Sequence, residues 1–127
     1  MDLKGVPPMP RILVVEDDAS TLTMIRTGLS KAGYNVLEAH NGKDALLKIR
    51  LQIPDLILSD VYMPDMDGVD LLVAIRENPA TKKIPIIIMT ANPQMEGGFR
   101  KVGVSDFIPK PIHLDQLDEK IKKILSP

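Results

Sequence analysis

Short apolar runs alternate with longer amphipathic segments along the chain, and this pattern predicts the secondary structure. The runs are largely apolar at consecutive positions, as is typical of strands buried on both faces of a sheet. They predict strands over residues 12–15, 35–39, 55–59, 85–89 and 104–109. The segments between them place aliphatic residues at helical spacing. These segments predict helices over residues 19–31, 43–50, 69–76 and 113–125, with a weaker candidate over 94–102.

The alternation of strand and helix, joined by short links, predicts an α/β fold. Because crossovers between parallel strands are right-handed, we expect a five-stranded parallel sheet with helices on both faces. The strand order 2-1-3-4-5 would make it a flavodoxin-like doubly wound sheet. The fourth helix, residues 94–102, contains Gly97 and Gly98. Two glycines cost about 2 kcal/mol relative to alanine inside a helix, so this helix is expected to be short or irregular.

Length and composition limit the possible classes of protein. The 127 residues fit one domain, for which we expect residues 11–127, after a flexible arm at residues 1–10 that is rich in proline and glycine. A net charge of −1 argues against binding to nucleic acid or a membrane surface through bulk charge. The chain has no cysteine and no run long enough to span a bilayer. Residues 1–10 carry no apolar core region, so we do not expect them to be a secretory signal. We therefore expect a cytoplasmic domain.

Several polar residues come directly after predicted strands, at the edge of the sheet where the carboxyl ends of parallel strands meet. They are Glu16 and Asp17 after strand 1, Asp60 after strand 3, Thr90 after strand 4 and Lys110 after strand 5. Ligands bind at this edge in open α/β sheets. Carboxylate oxygens suit a hard cation such as Mg²⁺. Taken alone, Asp60 could equally cap a turn and have no other role.

The sequence around these residues resembles a known family. The motif elements, in chain order, are Glu16-Asp17, Asp60 with Met63-Pro64 and Gly68, Thr90-Ala91 and Lys110-Pro111. Over about residues 11 to 125 this set resembles the receiver domain of bacterial two-component response regulators, the CheY-like domains. The resemblance implies a phosphorylation-activated switch in a phosphorelay. Its partners would be a sensor histidine kinase or phosphotransfer protein and a downstream protein that the sequence does not identify.

The resemblance also implies roles for the acidic residues. Asp60 would be the phosphoacceptor. Asp17 and Asp60 would bind Mg²⁺ directly, together with the backbone carbonyl of Tyr62, and Glu16 would reach the ion through water. The domain would not be an enzyme for a separate substrate, because it would catalyse only its own phosphorylation and dephosphorylation.

Further residues would serve the switch. Lys110 would pair with a phosphoryl oxygen, and Thr90 would hydrogen-bond to the phosphoryl group after transfer. Phe107, three residues before Lys110, lies where the family carries an aromatic residue that rotates with the state of the site; the alternative is a residue of the core. Tyr62 and Asn92, each two residues after a site residue, would tune the lifetime of the phosphorylated state.

Three other functions compete with this interpretation. A phosphatase with an aspartyl-phosphate intermediate commonly carries a second aspartate two residues after the nucleophile, where this chain has Tyr62. A flavodoxin-like cofactor binder needs a phosphate-binding loop after strand 1, where Glu16, Asp17 and Asp18 would repel a phosphate. A docking module that is never phosphorylated is the third alternative.

Overall fold

The computed structural model describes residues 9–61, 68–91 and 103–126, which contain five strands and four helices. The strands are β1 (Arg11–Val15), β2 (Asn35–Ala39), β3 (Leu56–Asp60), β4 (Ile86–Thr90) and β5 (Asp106–Pro109). The helices are α1 (Ala19–Lys31), α2 (Gly42–Leu51), α3 (Gly68–Glu77) and the C-terminal helix α4 (Leu114–Leu125). The helix predicted over residues 94–102 and residues 1–8 of the predicted arm lie outside the described residues.

All five strands are parallel, in the order β2-β1-β3-β4-β5, which confirms the predicted doubly wound sheet. Val15 pairs with Ser59 across β1 and β3, and Asp60 pairs with Met89 across β3 and β4. The carboxyl ends of the three central strands therefore lie side by side. This register decides which side chains can meet at that edge.

The sheet is covered on both faces, which explains why its strands are apolar at consecutive positions. Alternate residues of β1 point to opposite faces: Leu13 and Val15 pack on the α2–α3 side, and Ile12 and Val14 pack on the α1–α4 side. Each face has its own buried cluster of aliphatic side chains. None of the helices in the described ranges is long and apolar enough to cross a membrane.

The ends of the elements follow from local hydrogen bonds. The Asp18 side chain accepts a hydrogen bond from the Thr21 N–H and begins α1, and Gly33 follows the helix with a φ of 100°. The Asn41 side chain caps α2, which begins at Gly42, one residue before the predicted start. Strand β5 begins at Asp106, two residues later than predicted. Just before it, the Ser105 hydroxyl accepts a hydrogen bond from the Ile86 N–H.

Candidate functional site

Three carboxylates meet at the carboxyl edge of the sheet. Glu16 follows β1 and is only 1% exposed, and its N–H donates to the Ala39 carbonyl, which extends the pairing of β1 with β2. Asp60 is the last residue of β3 and is 7% exposed, whereas Asp17 is exposed. Ligand oxygens of Glu16, Asp17 and Asp60 all lie within 4.8 Å of one another. The fold thus brings together acids that are more than 40 residues apart in the sequence.

Lys110 lies between two of these acids. Its Nζ is 3.0 Å from Asp60 Oδ2 and 3.1 Å from Glu16 Oε2. Its backbone N–H donates to the Thr90 carbonyl, and the following peptide bond to Pro111 is cis. These contacts hold the ammonium group over the end of β3.

Asp60 is held from two sides. Its Oδ1 accepts a hydrogen bond of 2.7 Å from the Val61 N–H, while its Oδ2 binds Lys110. The buried Ser59 hydroxyl donates to the Asp60 carbonyl at 2.9 Å. The Asp60 carboxylate therefore binds the N–H of the residue that follows β3, and it also takes part in the acidic cluster.

Burial and neighbouring charges shift the pKa values of two groups. Burial, reinforced by the Asp60 charge, raises the pKa of Glu16 despite the opposing hydrogen bond from Lys110. Burial alone would lower the pKa of Lys110, but hydrogen bonds to the Asp60 and Glu16 carboxylates outweigh it, and the pKa is raised. Lys110 is therefore a cation at neutral pH. One ammonium group does not balance three carboxylates, so the cluster favours a further cation.

The donor set fits Mg²⁺. Mg²⁺ is usually held through one or two carboxylates and several waters, and this cluster offers one exposed and two nearly buried carboxylates. All ligand atoms that the side chains supply are oxygens, as a hard cation requires. Within the ranges that the structure describes, this is the one group of three or more acidic or histidine residues placed in this way.

The remaining predicted site residues are placed as follows. Thr90 ends β4 and is buried next to the strand that carries Asp60. Phe107 lies in β5 and belongs to the buried cluster on the α2–α3 side. Their roles as switch residues stay predictions. Tyr62 and Asn92 lie outside the described residues, as do Met63 and Pro64.

Two contacts of the site were not predicted from the sequence. Lys110 binds Glu16 as closely as it binds Asp60, although Glu16 was expected to act mainly through a water on the metal. The hydroxyl of Ser59, the last residue of the predicted third strand, donates to the Asp60 carbonyl and fixes it. A hydroxyl that interrupts an apolar run just before a candidate nucleophile was the available signal for Ser59.

Comparison with known proteins agrees with this geometry. Residues 12–122 match the family model described as the response regulator receiver domain. The chain therefore belongs to the response regulator receiver domain family. This receiver domain is 43% identical over 118 residues to the transcriptional regulatory protein ZraR of Salmonella typhimurium, and the match covers 91% of the chain and 26% of ZraR. It thus spans about a quarter of the length of that curated relative.

Solved structures show the same fold. The receiver domain superposes on the chemotaxis protein CheY4 of Vibrio cholerae with a TM-score of 0.87 and 32% identity, over 92% of this chain and 99% of CheY4. It also matches the receiver domain of the sensor histidine kinase PA1611 of Pseudomonas aeruginosa, with a TM-score of 0.83 and 29% identity, over 91% and 96% of the two chains. That structure is described with a magnesium ion coordinated in its active-site cleft.

Proposed function

We propose that this receiver domain accepts a phosphoryl group on Asp60 from a phosphohistidine of a sensor kinase or phosphotransfer protein, and that Mg²⁺ is required. The observation that carries the proposal is the surroundings of the Asp60 carboxylate, which binds the Lys110 ammonium group and has ligand oxygens of Glu16 and Asp17 within 4.8 Å. A carboxylate that served only to cap a turn would not need an ammonium group and two further carboxylates beside it. The membership in the receiver family and the magnesium-containing relative support the same conclusion.

The transfer itself is a nucleophilic displacement. A carboxylate oxygen of Asp60 attacks phosphorus, the phosphorus–nitrogen bond breaks, and its electron pair returns to the imidazole nitrogen. The product is an acyl phosphate on Asp60. Lys110 would pair with an oxygen of the incoming group, and its Nζ, 3.0 Å from Asp60 Oδ2, supports this role. The acyl phosphate later reacts with water, so the domain catalyses its own phosphorylation and dephosphorylation.

The acidic residues would hold the metal. Asp17 and Asp60 would bind Mg²⁺ directly with the backbone carbonyl of Tyr62, and Glu16 would act through a water. When bound, Mg²⁺ supplies positive charge that offsets the repulsion between the phosphoryl group and this acidic edge. The chemistry of the donor set supports the assignment, because all three side chains offer carboxylate oxygens.

Phosphorylation would then change the affinity for a downstream protein in the cytoplasm. Thr90, buried at the end of the strand beside β3, would hydrogen-bond to the phosphoryl group. Phe107 lies in the strand next to β4 and would respond to the movement of Thr90. Tyr62 and Asn92 would set the lifetime of the phosphorylated state. Direct contact with nucleic acid or membrane is not part of this proposal.

Incubation with acetyl phosphate and Mg²⁺ tests the proposal, with intact-protein mass spectrometry as the measurement. We expect one phosphoryl adduct on the wild type and none on Asp60→Asn or after chelation of the metal. The matched control is Asp55→Asn, which changes an exposed aspartate just before the same strand and should leave the adduct unchanged. A wild-type chain without an adduct would contradict the proposal and favour the docking module. An adduct that persists in Asp60→Asn would contradict it by showing that another residue is the phosphoacceptor.

A further inference from the structure

A second concave surface lies between α2 and α3, away from the acidic cluster. The cleft has a volume of about 360 Å³ and opens between the C-terminal ends of the two helices. Because each helix returns the chain from the carboxyl edge of the sheet, these ends lie near the amino edge. The apolar part of the lining consists of Leu46, Ile49, Ile53, Ala74, Ile75 and Ala80. This volume lies at the lower end of the range of small-molecule sites.

The polar part of the lining offers donors and a cation. It consists of Arg50, Asn78 and Thr81. The Thr81 hydroxyl donates to the Ile75 carbonyl at 2.7 Å, and Asn78 Oδ1 accepts from the Ala80 N–H at 2.9 Å. The Arg50 guanidinium and the Asn78 amide NH₂ group therefore remain to donate to a ligand. Among the described residues Arg50 has no ion-pair partner, and the lining contains no carboxylate.

We propose that this α2–α3 cleft binds a small amphipathic acid, an aliphatic chain that ends in a carboxylate. The aliphatic walls would take the chain, and Arg50 would pair with the carboxylate at the rim. The charge of the lining favours an anionic ligand over a cationic one. A cationic ligand would be repelled by Arg50, and the lining has no carboxylate to compensate. The inference does not depend on phosphorylation of Asp60, which lies at the other edge of the sheet.

Exposed apolar side chains at the mouth of the cleft support the binding of a ligand there. Ile53, which lines the cleft, is 49% exposed, and Leu51, next to Arg50, is 79% exposed. Exposed apolar surface beside a concave site is a feature of binding surfaces. An acid with a short aliphatic chain would cover part of it.

Octanoate is the probe, and octanamide, which has the same chain and no charge, is its control. Backbone amide signals of the full chain are followed by NMR during titration with each compound. We expect octanoate to shift the signals of Leu46, Ile53, Ala74 and Ala80 in a saturable way, with roughly millimolar affinity for so small a ligand. Octanamide should bind about threefold to fivefold more weakly, because it lacks the ion pair with an exposed arginine.

Three variants locate the site. Arg50→Gln should weaken octanoate to the level of octanamide, whereas Lys43→Gln, at the exposed start of the same helix, should leave its affinity unchanged. Ala80→Phe places a large side chain in the cleft and should abolish the shifts. The melting temperature of each variant is measured first, and unchanged folding makes the comparison valid.

Several results would overturn the inference. Equal binding of octanoate and octanamide would remove the role of Arg50. Shifts centred on Asp17 and Lys110 would place the ligand at the acidic cluster instead. If octanoate causes no shifts and sedimentation shows a dimer that Ala80→Phe dissociates, a second copy of the chain occupies the cleft.

Discussion

At the carboxyl edge of the sheet charged side chains face one another, whereas on the α2–α3 side of the amino edge an arginine binds the backbone. Glu16 and Asp60 share Lys110 at the carboxyl edge, and Asp17 adds a third carboxylate within 4.8 Å. On the α2–α3 side of the amino edge, Arg76 donates four hydrogen bonds to main-chain carbonyls. Charged side chains therefore serve different purposes at the two ends of one sheet.

The difference teaches how charge relates to stability and function in this fold. A guanidinium group that donates hydrogen bonds to main-chain carbonyls connects segments that share no backbone hydrogen bonds of a sheet. These bonds stabilise the fold. At the carboxyl edge, burial and the neighbouring Asp60 charge raise the pKa of Glu16, so its ionised form destabilises the metal-free protein. Such clusters occur at functional sites, where a ligand compensates the repulsion. Three substitutions test this contrast.

The largest effect is expected for Arg76→Ala. The Arg76 guanidinium binds the Gly103 carbonyl through Nε and Nη2, and the carbonyls of Lys82 and Ile84 through Nη1. It thus connects α3 to the turn before β4 and to the segment before β5. Loss of these bonds from a partly buried site should lower the free energy of unfolding by about 3 kcal/mol. Urea unfolding measures this change.

Arg76→Lys is the matched control because it keeps the positive charge but loses the planar fork. We expect it to recover less than half of the lost stability. Full recovery would show that charge alone, and not bonding to several carbonyls, accounts for the role of Arg76. An Arg76→Ala protein as stable as the wild type would remove the amino-edge half of the comparison.

Tyr34→Phe should have the next largest effect. Tyr34 is buried just before β2, and its hydroxyl donates to Asp118 Oδ1 on α4 at 2.7 Å. Burial raises the pKa of Asp118, but the hydrogen bonds from Tyr34 and Lys122 outweigh it and lower the pKa. Removal of the hydroxyl should cost about 1.5 kcal/mol at neutral pH, as for a hydrogen bond to a charged group.

The pH dependence identifies the hydrogen bond. The lowered pKa of Asp118 means that its stabilisation is present above the unfolded value of about 3.9 and is lost as the pH falls through the folded value. Burial and the bond to Asp118 raise the pKa of Tyr34, so its stabilisation is lost as the pH rises above about 10. The difference between wild type and Tyr34→Phe should therefore shrink at both extremes. A difference that stays constant would indicate packing alone.

The contrast between the edges also explains how much of the molecule could be predicted. Runs such as Leu56–Leu58 and the residues after them were enough to predict the strands and the shared edge of their carboxyl ends, because periodicity and chain direction determine these features. The strand order, and with it the meeting of Asp17 with Asp60, came from the flavodoxin-like arrangement and the family resemblance. The contacts of Arg76 could not be predicted, since a single arginine at the end of an amphipathic helix gives no sign of its partners. The Lys110–Glu16 pair depends on side-chain geometry, which spacing does not describe.

Glu16→Gln should give the smallest change, and one of opposite sign. Because burial and the Asp60 charge raise the pKa of Glu16, its ionised form destabilises the metal-free fold, and the neutral amide should raise the free energy of unfolding by about 1 kcal/mol. Mg²⁺ should then stabilise the variant less than it stabilises the wild type.

At the amino edge, the Asp55 carboxylate accepts a 2.7 Å hydrogen bond from the Arg11 N–H, so Asp55→Asn should not increase stability. Chemical unfolding with and without Mg²⁺ measures both variants, and a stabilised Asp55→Asn or a destabilised Glu16→Gln would show that the two edges do not differ in this way.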